Sequence, residues 1–260
     1  MKILFIGDVV GRAGRQILSQ NIDRLVGDHE IDFLIVNGEN AAGGFGLTDE
    51  IVREFRKLGV HVITSGNHIW DKRDFVPSLD RHEDVLRPGN YPAGTPGRGL
   101  GLYETNIGTK VAVMNLEGRV FMNSLDCPFR AADAYLEQLA DDVSVVFVDF
   151  HAEATSEKMA LGHYLDGRVS AVVGTHTHVP TADEQILPGG TAYQTDAGMT
   201  GSRDSVIGIR KEIAVEKFVT QLPARFEVAK KNPVLCGVVI DVDDTTGRAR
   251  SIERVMALSN

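Results

Sequence analysis

A chain of 260 residues, 43% of them hydrophobic, has the material for a sizeable core and does not read as a disordered polypeptide. Its formal net charge of −9 argues against duplex nucleic acid as a partner, because no general basic surface faces a phosphate backbone. No apolar stretch approaches the roughly 18 residues of a membrane helix, and Cys127 and Cys236 form no CxxC pair, so they read as free thiols of a cytoplasmic protein.

From the N-terminus, residues 3–6 predict a buried strand and residues 15–26 carry helical spacing. Residues 33–36 form a second apolar run. Thr48 suits the N-cap of a helix running to Leu58, with Gly59 as its stop, and 60–64 is a third strand. This βαβαβ rhythm predicts parallel strands covered by helices on both faces. Residues 87–101, rich in proline and glycine, read as a long surface loop. Strands over 102–105 and 110–115 follow, then a helix near 131–140, a strand over 143–149, a helix near 156–165 and a strand over 169–173. Residues 234–241 and 249–256 close the chain as a hairpin around 243–247. No repeat or linker interrupts it, and 1–260 reads as one α/β domain.

Polar clusters follow five of the apolar runs directly. They are Asp8, Glu39-Asn40, Asn67-His68, His151, and the histidines of Gly174-Thr175-His176-Thr177-His178. In a parallel sheet all five converge on the carboxyl edge, where open α/β folds bind ligands. Carboxylate, amide oxygen and imidazole together suit iron, manganese or zinc. Two such ions about 3.5–4 Å apart clamp the attacking and leaving oxygens of a phosphoryl displacement. A bridging carboxylate allows that approach, and Glu39 is the candidate bridge. His176 and His178, two apart on a strand extension, point to one side.

Each cluster also has a plainer reading. Asp8 could cap the following helix, and Glu39-Asn40 and Asn67-His68 could be turn chemistry. Gly7, Gly11 and Gly14 loosely suggest a nucleotide-binding turn, but the spacing is neither GxGxxG nor a P-loop. His29 and His82 lie in charged stretches and read as solvated. His61 starts a strand and His163 lies in a helical segment.

The same residues resemble the motifs of the calcineurin-like metallophosphoesterases: Gly7-Asp8, Gly38-Glu39-Asn40, Gly66-Asn67-His68, His151 and Gly174-Thr175-His176-Thr177-His178. Val10 stands where that superfamily has a first-motif histidine, and Glu39 where it usually has aspartate. Both departures are similar to the YmdB-type branch, a bacterial group of 2′,3′-cyclic-nucleotide phosphodiesterases. The longer runs Asn67-His68-Ile69-Trp70-Asp71-Lys72, 149–158 and Thr195-Asp196-Ala197-Gly198-Met199-Thr200-Gly201 carry that similarity along the whole chain.

The resemblance implies a four-layer α/β/β/α sandwich, two mixed sheets flanked by helices, which spacing alone does not disclose. It implies two metal ions, iron with manganese as substitute. Asp8, Glu39, Asn40 and His178 would hold one ion, and Glu39, Asn67, His151 and His176 the other. Asn40 would replace the missing first-motif histidine. The expected reaction is hydrolysis of 2′,3′-cyclic nucleotides to 3′-phosphomononucleotides by a hydroxide bridging the metals, with His68 as general acid. A homo-oligomer and a link to RNA turnover belong to the same resemblance. Phe45, Trp70 and Phe121 are candidates for lining the pocket, although core or rim packing explains each as well. A phosphomonoesterase of the same fold, or a regulatory phosphate-binding protein, stands as the alternative.

Overall fold

The computed structural model describes residues 1–106 and 108–259. Its strands divide between two mixed sheets. In the first, β1 (Lys2–Ile6), β2 (Phe33–Asn37) and β3 (Val62–Thr64) run parallel. The C-terminal hairpin of β11 (Pro233–Val242) and β12 (Ala249–Leu258) pairs antiparallel to β1 through β11, and short β10 (Gly201–Ser202) joins β11. In the second sheet, β5 (Lys110–Glu117), β6 (Val145–His151), β7 (Ala171–Thr175) and β9 (Ala192–Gln194) are parallel. Antiparallel edges of β4 (Leu100–Glu104) and β8 (Gln185–Ile186) close it.

Strand periodicity explains why two sheets fit together. Ile3 and Phe5 of β1, with Val145 and Phe147 of β6, face an apolar layer between the sheets. Their neighbours Leu4 and Ile6 face α1 (Gly11–His29) and α2 (Asp49–Lys57) on one outside. Val146 and Val148 face the side of the second sheet covered by α4 (Thr155–Leu165). Alternating side chains therefore feed separate cores, giving helix, sheet, sheet and helix layers. The rings of Phe5 and Phe147 meet across the middle at 5.0 Å, and burying each such side chain contributes about 1.5–3 kcal/mol.

Several expectations need correction. The five polar clusters do not share one sheet edge: three follow β1, β2 and β3, while His151 ends β6 and the two later histidines follow β7. Continuous apolar runs identify strands buried on both faces, and such runs look the same in either sheet. The helix expected from Arg15 begins at Gly11 and that expected from Ala131 at Pro128, where α3 (Pro128–Leu136) starts. Part of the expected surface loop is interior. The Arg87 guanidinium donates to the carbonyls of Pro88, Thr95, Pro96 and Gly97, which folds the segment around a buried cation. His82 is not solvated either. Its ring stacks on Phe75 and its Nε2 lies 2.6 Å from Asp49. The expected cap at Thr48 is present, its hydroxyl accepting from Ile51 N at 3.3 Å. Cys127 and Cys236 are free thiols. No helix among the described residues is long and apolar enough to cross a membrane.

Candidate active site

The carboxyl ends of β1, β2 and β3 meet those of β6 and β7 across the seam between the sheets. Asp8, Glu39, Asn40 and His151 are buried there, while Asn67, His68, His176 and His178 keep partial exposure. Two groups form that could each hold a metal ion. One is Glu39, His151 and His176, and the other is Asp8, Glu39 and His178, each with its ligand-type atoms within 4.8 Å of one another. Glu39 belongs to both. His151 Nε2 lies 3.2 Å from Glu39 Oε1, 3.0 Å from Asn67 Oδ1 and 3.0 Å from His176 Nδ1. Asn40 Nδ2 lies 3.0 Å from Glu39 Oε1 and 3.1 Å from His178 Nε2. A ligand role for Asn40 requires its amide turned over, which is an isosteric change. Gly66 is obligatory beside them, since a Cβ there would fall 2.3 Å from Glu39 Oε2 and His151 Nε2.

The electrostatics ask for positive charge. Asp8 and Glu39 are fully enclosed, and among the described residues their ion-pair partners are histidines. Burial pushes the Asp8 carboxyl up to about 7, against the pull of His178 and His151. Burial acts the same way on Glu39, but His151, His68 and His176 outweigh it and hold that carboxyl at about 2. His151 responds in reverse. Loss of water opposes its charge, yet Glu39, Asp8 and Asp149 raise it to about 9. Its neighbour His176 is driven down to about 3 by burial and by His151 itself. Among the described residues, Asp8 Oδ1 is buried with no hydrogen-bond partner. An orphaned carboxylate oxygen facing imidazole nitrogens fits a cation, since leaving such an atom dry and unpaired is costly. The helix-cap reading of Asp8 fails, because the N-cap of α1 is Val10, without a side-chain bond.

Outer contacts set which imidazole nitrogens face inward. The Thr175 hydroxyl donates to Asp149 Oδ1 at 2.7 Å and accepts from His151 Nδ1 at 3.0 Å, which turns His151 Nε2 toward the site. His178 Nδ1 donates to the Ile207 carbonyl at 2.8 Å, and His176 Nε2 lies 3.1 Å from Glu153. His68 Nδ1 is 2.8 Å from Asp71 Oδ2, which leaves its Nε2 free.

His176 and His178 reach the site differently from the expected extension. Strand β7 ends at Thr175, and the two residues take left-handed φ of 96° and 67°. Thr177 between them donates its N–H and hydroxyl to Asp196, which the buried Lys158 ammonium also grips at 2.6 Å. Of the aromatic candidates, Phe45 lines the cavity and meets the His68 ring edge-to-face, with the ring centroids 4.9 Å apart. Trp70 packs instead on Tyr91, and Phe121 projects into solvent. Sequence reasoning assigned no role to Asp149, Thr175, Glu153, Lys158, Asp196 or Ile207. A polar residue inside an apolar strand, as with Asp149 in Val-Val-Phe-Val-Asp-Phe-His, was the available signal.

Fold and site together define an α/β/β/α sandwich with an acid, amide and imidazole centre at the seam of its sheets. The family model described as YmdB-like protein matches residues 4–255, and the chain belongs to that family. It is 50% identical to the 2′,3′-cyclic-nucleotide 2′-phosphodiesterase of Bacillus subtilis, over 98% of this chain and 97% of that protein. A putative phosphatase/phosphodiesterase of Mycoplasma pneumoniae is 37% identical over 98% of this chain and 92% of its own. Among solved structures, a hypothetical protein from Thermus thermophilus superposes with a TM-score of 0.94 at 43% identity, with both chains covered completely. A Mycoplasma pneumoniae phosphatase gives 0.94 at 35% identity, covering 99% of this chain and 93% of that one.

Proposed function

We propose that this protein hydrolyses 2′,3′-cyclic nucleotides to 3′-phosphomononucleotides at a pair of metal ions. The observation that carries the reading is the sharing of Glu39 between two metal-competent groups, and the name of the Bacillus subtilis relative supports the substrate class. Asp8, Asn40 and His178 would complete one site with Glu39, and Asn67, His151 and His176 the other. Iron is the proposed metal, with manganese able to replace it, in keeping with mixed oxygen and nitrogen donors. The ions would supply charge against the phosphoryl oxygens and lower the pKa of the attacking water.

The protein's own part is orientation and proton transfer. Thr175, Glu153 and the Ile207 carbonyl fix the imidazole rings, so that lone pairs converge without rearrangement at the moment of reaction. As the bond from phosphorus to the ribose 2′ oxygen breaks, that oxygen takes the electron pair and needs a proton. His68 supplies it from Nε2, its other nitrogen being held by Asp71.

Elemental analysis coupled to turnover tests the whole reading. Two equivalents of iron or manganese per chain, with 2′,3′-cyclic AMP converted to 3′-AMP, is the expected result. Preference for 3′- or 5′-mononucleotides would make the protein a phosphomonoesterase. Metal binding without turnover of any phosphate ester would leave a phosphate-binding regulator.

A further inference from the structure

Above the acid and imidazole cluster lies a cavity of about 400 Å³ with two unlike sides. Its polar side, the floor, is Glu39, Asn40, His68, Glu153, His176, Thr177 and His178, and its apolar side, the wall, is Val10, Phe45, Ile207, Ile209 and Phe226. Among the described residues, no lysine or arginine lines it. A site meant for a longer nucleic-acid backbone would need such cations along its path.

Ile207 is the unusual member. It sits with Gly208 at the tip of a two-residue turn closed by reciprocal Val206–Ile209 bonds of 2.9 Å, and the two residues have φ of 45° and 95°. Such turns favour Asn-Gly or Gly-Gly, and a β-branched residue at positive φ is strained by about 1–3 kcal/mol. The turn's other task, presenting the Ile207 carbonyl to His178, uses backbone alone. It therefore does not account for an isoleucine, a residue that stays 52% exposed at the cavity wall. Phe226 is likewise 39% exposed, with the Lys217 ammonium 4.4 Å from its ring centroid. Two large apolar side chains thus remain open to solvent beside a polar floor, and one of them does so under backbone strain.

We propose that this wall is the nucleobase subsite of the enzyme, with Phe226 as the stacking platform and Ile207 as the residue that narrows it. The inference rests on the phosphodiesterase reading above and names what lies beyond the phosphate. The apolar wall reads the base by its face, so stacking area decides affinity. Purine 2′,3′-cyclic nucleotides are therefore preferred over pyrimidine ones by a modest factor. Stacking of a base on an aromatic side chain is worth enough to change affinity about 5- to 100-fold.

The test compares kcat/KM for 2′,3′-cyclic AMP with that for ribose 2′,3′-cyclic phosphate, which lacks a base. The native protein should favour the nucleotide by about 10-fold or more, through KM. Phe226→Ala should shrink that ratio about 10-fold, and Phe226→Trp should keep it. Ile207→Gly, which also relieves the turn, should lower the ratio without lowering the melting temperature. A native ratio near one, or one unchanged in both Phe226→Ala and Ile207→Gly, overturns the subsite while the phosphodiesterase reading stands. If the native protein hydrolyses neither ester, that reading falls and the subsite with it.

Discussion

The two sheets contribute to the site in different ways. Asp8, Glu39 and Asn40 leave the ends of β1 and β2 on ordinary backbone and are buried. His176 and His178 leave β7 on left-handed backbone, partly exposed, and side-chain bonds to Glu153, the Ile207 carbonyl and the Asp196–Thr177 pair hold them. The first half is fixed by the strands themselves. The second is fixed by groups distant in sequence, and its strain is balanced by those bonds. Change in the first half should therefore act mainly on charge, and change in the second on position.

The largest effect is expected from the charge side. Glu39→Ala removes the carboxylate common to both groups. Occupancy by two ions should be lost, and turnover should fall beyond the ~10⁴-fold ceiling typical of a lost proton donor. Elemental analysis beside kcat/KM checks this, and retention of both ions would take Glu39 out of the bridging role. His68→Ala should cost about 10²–10⁴-fold in kcat with the metal content unchanged. Loss of metal in that variant would make His68 a ligand instead.

On the positional side, Asp196→Ala leaves the Lys158 ammonium buried without its carboxylate. Breaking such a pair costs about 3–5 kcal/mol, readable as a shift in the denaturation midpoint. Replacing both residues by apolar side chains of similar volume should cost less in stability. Because Asp196 also holds Thr177, the double variant should still bind metal more weakly. Unchanged metal affinity there would show that the left-handed histidines keep their place without this anchor.

The same contrast decides what could be read from sequence. Asp8, Glu39, Asn40, Asn67, His151 and the pair His176 and His178 announce themselves as polar residues after apolar runs, and motif resemblance adds their division between two ions. Strand periodicity finds β1, β2, β3, β6 and β7, but it cannot assign them to sheets, because a run buried on both faces has no sidedness. Short β8, β9 and β10 carry too few residues for a period, and α5 (Lys211–Thr220) keeps Val215, Phe218 and Val219 exposed, so its pattern lacks a clean apolar stripe. Of the residues that act through another, Asp149 shows only as a polar residue inside an apolar strand, and Thr175, which acts on His151, has no local signature. Their partners come from strands that only the fold brings side by side.

Thr175 offers the finest probe of that hidden layer. Its hydroxyl links the Asp149 carboxylate to His151 Nδ1, and Asp149 is in turn held by Asn37 Nδ2 at 2.9 Å and by Thr64. The chain crosses the seam, because Asn37 and Thr64 belong to the first sheet and Asp149, His151 and Thr175 to the second. Thr175→Val keeps the shape and removes the bond that orients the His151 ring. Losing such a partner typically weakens metal binding about 10–100-fold, and the effect should fall on the ion proposed for the group of His151 and His176. Chelator competition on the native protein, Thr175→Val and Thr175→Ser reads it directly, with serine expected to restore most of the affinity. Equal affinity in all three would mean that Glu39 and Asn67 orient His151 unaided, and that packing alone sets the positional half of the site.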